Sequence, residues 1–219
     1  MAENMSGQAG ELPEQSVADS ETVQNPVKPG PIIISRHGRP ALDRTAGPKL
    51  DWAAYKDWWA RYEAGGLAPG QVAPDTLKSI VADSAVVLSS SRLRALETAQ
   101  LAAPWAQIET SDLFIEANLP PPKWKGVTFL PKTWNILARA AWLQGHKLDG
   151  EGIRDAEARA DMAADHLIER AMEGKVYLAA HGWFNRMLRP RLRSRGWRCV
   201  KDGGDSYWSF RVYEPRPRD

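Results

Sequence analysis

Arg36-His37-Gly38 places an imidazole next to a cation, followed by a glycine that lets the backbone pass close to a ligand. Two further stretches carry comparable chemistry: Ser89-Ser90-Ser91, which runs through Arg92 into Arg94 and Thr98, and His181-Gly182. A phosphoryl group in transfer spreads negative charge over three equatorial oxygens, so it needs several cationic or N–H donors around it. Arg36, Arg94 and His181 are the residues able to supply them, with His37 as the nucleophile. Arg94 opens a helical pattern, which would set free backbone N–H groups and the positive end of a helix dipole beside its guanidinium.

Each stretch follows an apolar run of the kind buried on both faces of a parallel sheet: Ile32-Ile33-Ile34, Ala85-Val86-Val87-Leu88 and Val176-Tyr177-Leu178-Ala179-Ala180. Helical patterns lie between and around them, over Trp52 to Ala64, Pro74 to Asp83, Arg94 to Ala103, Lys132 to Gln144 and Ile153 to Glu173. The tail alternates from Tyr207 to Tyr213 around Trp208, Phe210 and Val212, which predicts an edge or late-added strand closed off by Pro215 and Pro217. Strands alternating with helices predict a doubly wound α/β sheet, in which ligands bind at the carboxyl ends of the strands. That rule brings the three stretches to one pocket.

The three stretches, in order and approximate spacing, resemble the histidine phosphatase superfamily, which includes the cofactor-dependent phosphoglycerate mutases. Ile34-Ser35-Arg36-His37-Gly38 is similar to its Arg-His-Gly signature, Ser90 to Ala99 to its second motif, and Ala180-His181-Gly182 to its third, which carries a second catalytic histidine. The resemblance implies a three-layer α/β/α sandwich with a mostly parallel central sheet over residues 30–219. It also implies a phosphomonoesterase that forms a phosphohistidine on His37 without metal or other cofactor. A carboxylic acid protonates the leaving group in that family, and Glu116 in Leu113-Phe114-Ile115-Glu116 is the candidate, with Asp112 as its rival. Ser90, Gly182 and Arg39 complete the substrate contacts expected beside Arg36, Arg94 and His181.

The match departs from the pattern at Arg39-Pro40, where relatives carry other residues after Arg-His-Gly, and at Gly150-Glu151-Gly152, which lacks a serine. No segment around Trp124, Trp134 and Trp142 aligns with a mutase, which favours net hydrolysis over phosphoryl return to a second position. The other alternative is a catalytically silent binding module that docks through the basic stretch from Arg186 to Lys201. That stretch holds seven basic residues and no acidic one. Its commoner reading is a solvated helix face, kinked or ended by Pro190, with Arg186 or Arg189 reaching a distal charge of the substrate as a third reading. His146 and His166 have no motif around them and read as solvated, and the ten tryptophans read as packing residues, one of Trp52, Trp58 and Trp59 being placed to wall the pocket.

With 219 residues, 43% of them hydrophobic, the chain has enough apolar material for one domain. Residues 1–29 are rich in polar residues and lack hydrophobic periodicity, which predicts a disordered leader. The first 30 residues hold five acidic residues against Lys28, a net −4, leaving +6 on the rest of a chain of net +2. Such a surplus draws anionic substrates. A single cysteine, Cys199, points to a reducing compartment, the cytoplasm, and no apolar run approaches the roughly 20 residues that span a bilayer. The expected partner is a small-molecule or protein phosphomonoester, with neither membrane nor nucleic acid.

Overall fold

The computed structural model describes residues 1, 28–146 and 150–217. Residues 2–27 of the expected leader lie outside the described residues. Six strands form one sheet in the order β3-β2-β4-β1-β6-β5. They are β1 (Ile32–Arg36), β2 (Val86–Ser90), β3 (Ile108–Ser111), β4 (Val176–Ala180), β5 (Trp197–Asp202) and β6 (Phe210–Pro215). β1, β2, β3 and β4 run parallel, while β6 pairs antiparallel with β1 and β5 with β6.

The three apolar runs become the adjacent central strands β2, β4 and β1, whose side chains are buried on both faces because helices cover each. Ile32, Ile34, Val86, Leu88 and Leu178 face α5 (Ile153–Arg170) and α6 (Gly182–Ser194) through Ala160, Ala164, Leu167, Phe184 and Leu188. Ile33, Val87, Tyr177 and Ala179 face the opposite layer, α2 (Asp75–Val81) and α3 (Leu93–Ala102), through Leu77, Val81, Ala99 and Ala102. The period-two alternation within Ile32-Ile33-Ile34 thus serves two cores at once.

A third core stands apart from the sheet. Tyr55, Trp58 and Tyr62 of α1 (Trp52–Ala64) pack with Trp134 of α4 (Pro131–Leu143), with Leu50 and Phe129 against them. α1 starts where the Asp51 carboxylate accepts the Ala54 amide at 2.8 Å, and α4 starts on Pro131, whose fixed φ and missing N–H suit a first turn. Backbone bonds in both directions between Leu50 and Phe129 bring the loops before the two helices together.

Several sequence expectations change. β3 and β5 were not anticipated, because each is an edge strand that mixes polar with apolar residues, with two of the four residues of β3 and four of the six of β5 exposed. The tail strand starts at Phe210 rather than Tyr207, runs through Pro215, and lies inside the sheet between β1 and β5 instead of at its edge. Tyr207 and Trp208 belong to the preceding loop, with Trp208 at φ 64°. Pro190 neither ends nor interrupts α6, which runs on to Ser194. The helix from Ile153 stops at Arg170 and tightens into a 3-10 turn over Ala171–Glu173. His166 is half-buried, its ring 6.1 Å from that of Phe114, whereas His146 is exposed. No helix among the described residues is long and apolar enough to cross a membrane.

Candidate active site

The parallel register of β1, β4 and β2 aligns their carboxyl ends, with Arg36 beside Ala180 and Ala179 beside Ser89. His37, His181 and Ser90 therefore emerge together, and the first turn of α3 brings Arg94 to them. The two histidine rings lie 5.2 Å apart. His37 Nδ1 meets the carbonyl of Gly38 at 2.7 Å, and because a carbonyl only accepts, Nδ1 carries the proton and Nε2 keeps its lone pair. Arg94 Nε lies 3.4 Å from that Nε2. Gly38 is required here for a steric reason, since a Cβ would sit 2.5 Å from the Trp208 ring. Its amide donates to Thr98 Oγ1 at 2.9 Å, and Thr98 donates to the Arg94 carbonyl at 2.7 Å, which ties the first stretch to the second.

His181 is fully buried, with Nε2 2.8 Å from Ser90 Oγ and Nδ1 without a hydrogen-bond partner among the described residues. Arg94 is 1% exposed and donates to the carbonyls of Tyr62 and Glu63 and, at 2.7 Å, to the Glu63 carboxylate. Arg36 lies with its guanidinium 4.3 Å over the Tyr207 ring and donates to the Asp205 carbonyl at 2.6 Å, while its Nε is buried and unpartnered. Gly182 makes room for it, as a Cβ there would come within 3.1 Å of that Nε. Asp205 is itself held by Arg186, Arg189 and Arg211. Burial opposes its ionisation, but Arg189 and Arg211 pull its carboxyl down to about 2.

Glu116 sits on the loop after the 3-10 turn Asp112–Phe114. Its Oε1 accepts from the amides of Phe184 (2.8 Å) and Ala117 (3.0 Å), and its Oε2 from that of Trp183 (3.1 Å), so it satisfies orphan donors of the first turn of α6. Two arginines fix this loop by its carbonyls. Arg159 donates to Leu113 and Ile115, and Arg139 donates to Ala117 and Asn118 while lying between the rings of Trp142 and Trp183.

Arg36, His37, Arg94, Glu116 and Gly182 line one cavity of about 520 Å³, together with Trp59 and Tyr62 of α1 and residues of α4. Of Trp52, Trp58 and Trp59 it is Trp59 that walls it, with Trp183 of α6 as a second tryptophan in the lining. Neither Ser90 nor His181 lines it: both are fully buried, bonded to each other, with the His181 ring 5.2 Å from that of His37, which does line it. Arg39 lies outside, exposed, with its backbone bonded to Gln71, because the chain turns away after Gly38. Asp112 is exposed, accepts from Ser91 and lines a neighbouring cavity instead. The solvated-face reading of residues 186–201 also changes. Five of its seven basic residues pair within the chain: Arg186 and Arg189 with Asp205, Arg191 with Asp161, Arg195 with Asp161 and Asp165, and Arg198 with Glu214. Arg193 and Lys201 have no ion pair among the described residues, and Arg186 and Arg189 share the single carboxylate of Asp205, so the stretch keeps part of its positive charge. Glu63, Asp205, Tyr207 and Arg139 were missed, since none lies in a local pattern with the residue it serves.

Burial, then the charges of Arg94 and Arg36, holds His37 well below the ordinary histidine range; burial, Arg94 and His37 do the same for His181. Both rings are therefore neutral at pH 7. In the unfolded chain they take up protons near pH 6.5, so below that pH the unfolded state binds more protons and stability rises with pH. The contribution is complete above about pH 6.5 and is lost as pH falls from there toward the folded-state values. Urea midpoints measured from pH 8 to pH 5 should fall more steeply for the wild type than for a His37→Asn variant. Equal slopes would show that His37 titrates alike in both states.

A family model for the histidine phosphatase superfamily (branch 1) matches residues 63–201. The chain belongs to that superfamily. Its Arg36-His37-Gly38 stretch lies ahead of the matched residues. Among solved structures, mycobacterial hydrolase 1 is similar at 17% identity and a TM-score of 0.53, over 84% of this chain and 90% of that one. Phosphoserine phosphatase from Entamoeba histolytica, in complex with 3-phosphoglyceric acid, is similar at 15% identity and a TM-score of 0.52, over 84% of this chain and 89% of that one. These likenesses establish the histidine phosphatase fold. No curated protein matches the chain in sequence.

Proposed function

We propose that this histidine phosphatase superfamily member is a phosphomonoesterase that works through a phosphohistidine on His37. The observation that carries the reading is a neutral, buried His37 whose Nδ1–H is fixed on the Gly38 carbonyl and whose Nε2 faces an arginine-lined cavity. The Nε2 lone pair attacks phosphorus and the bond to the ester oxygen breaks. Arg36 and Arg94, which line the cavity, set their positive charge against the phosphoryl oxygens as a metal ion does in kinases, and the neutral His181, buried beside His37, adds a hydrogen-bonding nitrogen at Nδ1. Glu116 supplies the proton to the leaving oxygen. Water then gives a proton back to Glu116 and attacks phosphorus, the P–N bond breaks, and phosphate leaves with His37 restored.

Phosphate release from aryl and metabolite phosphates, measured in chelator, tests this. His37→Ala should lose release by on the order of 10³-fold or more. An alkali-stable, acid-labile phosphoryl adduct should appear on the peptide carrying His37 in the wild type only. Full activity in His37→Ala would overturn the assignment, and return of the group to a second position of the substrate without net phosphate would make the chain a mutase.

A further inference from the structure

Six cationic side chains line the cavity, and four are accounted for. Arg94 pairs with Glu63 and Arg186 with Asp205, Arg139 spends its terminal nitrogens on two carbonyls, and Arg36 lies over Tyr207 and donates to the Asp205 carbonyl. Arg44 and Lys132 remain. Neither has a carboxylate partner among the described residues, although both line the cavity. They are neighbours in space rather than in sequence, because the Lys132 amide donates to the Arg44 carbonyl at 2.9 Å. Arg44 lies 6.0 Å from the face of Tyr207, the ring that also carries Arg36, so this pair borders the phosphoryl end of the cavity.

The same patch offers more than charge. Asn135 lines the cavity, and its Oδ1 is occupied by the Tyr55 hydroxyl at 2.5 Å, which leaves its NH₂ as a donor. Ile136, four residues after Lys132 and so on the same face of α4, is 62% exposed at the cavity wall. Ile136 thus offers an apolar surface next to Lys132, where a ligand with an apolar portion beside an anion gains by burial. A phosphate monoester alone would use Arg36, Arg94 and the histidines and leave Arg44 and Lys132 idle. The cavity, at about 520 Å³, is within the range of sites that enclose a whole small molecule rather than a phosphate alone.

We infer that the substrate is a phosphomonoester whose leaving group carries a second anionic group, carboxylate or phosphate, held by Arg44 and Lys132, next to an apolar or aromatic portion that covers Ile136. This rests on the phosphatase reading of His37 and adds the class of leaving group. Two positioned charge-assisted hydrogen bonds to the second anion correspond to roughly a tenfold or greater preference.

Phenyl phosphate, 4-carboxyphenyl phosphate and phosphoglycolate separate the elements, since the first has the apolar body alone, the second has body and anion, and the third has the anion without the body. The wild type should give its highest kcat/KM with 4-carboxyphenyl phosphate, and a phosphorylated-phenyl phosphate should match it if the anion can be a second phosphate. In an Arg44→Gln, Lys132→Gln variant, kcat/KM for the carboxylated probe should fall roughly tenfold further than for phenyl phosphate. Equal losses on both probes, or a wild-type preference for phenyl phosphate, would overturn the anion contact, and a preference for phosphoglycolate would overturn the apolar one. If the wild type hydrolyses none of the probes, the phosphatase reading fails by itself. Calorimetry with phenylphosphonate and 4-carboxyphenylphosphonate then decides the subsite, as tighter binding of the second that vanishes in the variant supports it and equal binding refutes it.

Discussion

An Arg94→Met variant should lose phosphate release by on the order of 10²- to 10³-fold, the cost of removing one preorganised donor from a developing charge. It should also lose stability. Arg94 is almost fully buried, and its guanidinium has two roles: Nε faces His37 Nε2, while NH1 and NH2 hold the end of α1 through the Tyr62 and Glu63 carbonyls and the Glu63 carboxylate. Methionine fills similar volume but leaves a largely buried Glu63 with only Arg92, at 3.3 Å, as a charge partner. Breaking one side of such a pair costs about 3 kcal/mol, because the remaining charge stays desolvated. The two effects separate in an Arg94→Met, Glu63→Gln double variant, which should recover much of the urea midpoint and none of the turnover. Recovery of turnover together with stability would mean that Arg94 acts only by holding α1 in place.

The central sheet was legible in the sequence because β1, β2 and β4 are buried on both faces, and that burial leaves uninterrupted apolar runs at Ile32, Val86 and Val176. The same three strands end in the polar stretches, so knowing that parallel strands present their carboxyl ends together was enough to bring Arg36, His37, Arg94 and His181 into one place. β3 and β5 gave no such signal. Glu109 and Thr110 of β3 and Arg198 and Lys201 of β5 lie at the sheet margins, where pairing on one side suffices and polar residues are tolerated. Pro190 misled for a related reason: local propensity argues against a proline in a helix interior, but Leu188 and Leu192 anchor α6 in the core on either side of it.

Within the site, what could be read were residues carried directly by the ends of the buried strands. Glu63 meets Arg94 across 31 residues, Asp205 meets Arg36 across 169, and Arg139 meets the Glu116 loop across 21 and 22, so only the fold reveals them. The basic stretch shows the same limit with the opposite sign. Read alone, Arg191 and Arg195 are unopposed positive charge; in the structure α5 sets Asp161 and Asp165 against them. Part of the positive charge of that face is thus compensated, whereas the cavity holds unpaired cations at Arg44 and Lys132, which the sequence did not single out.

Trp134→Ala should cost about 3 to 5 kcal/mol, in the range for emptying a buried aromatic position. Trp134 is fully buried, stacks on Tyr55 at 5.6 Å, meets Phe129 edge-on at 5.4 Å, and donates its indole N–H to the Leu50 carbonyl at 2.7 Å. It is the α4 residue buried in the third core, opposite three aromatic residues of α1. Its removal leaves a cavity between the helices and takes a donor from Leu50. Because this core is separate from the two that flank the sheet, the loss should fall first on the wall that α1 and α4 build, which includes Trp59, Tyr62, Asn135 and Ile136. Amide exchange should then accelerate across α1 and α4 while β1, β4 and α6 keep their protection, and KM should rise more than kcat falls, since His37, Arg36 and His181 stand on the sheet side. Uniform loss of protection would instead mean that the helical wall and the sheet unfold as one cooperative unit, with Trp134 stabilising the whole domain rather than the mouth of its cavity.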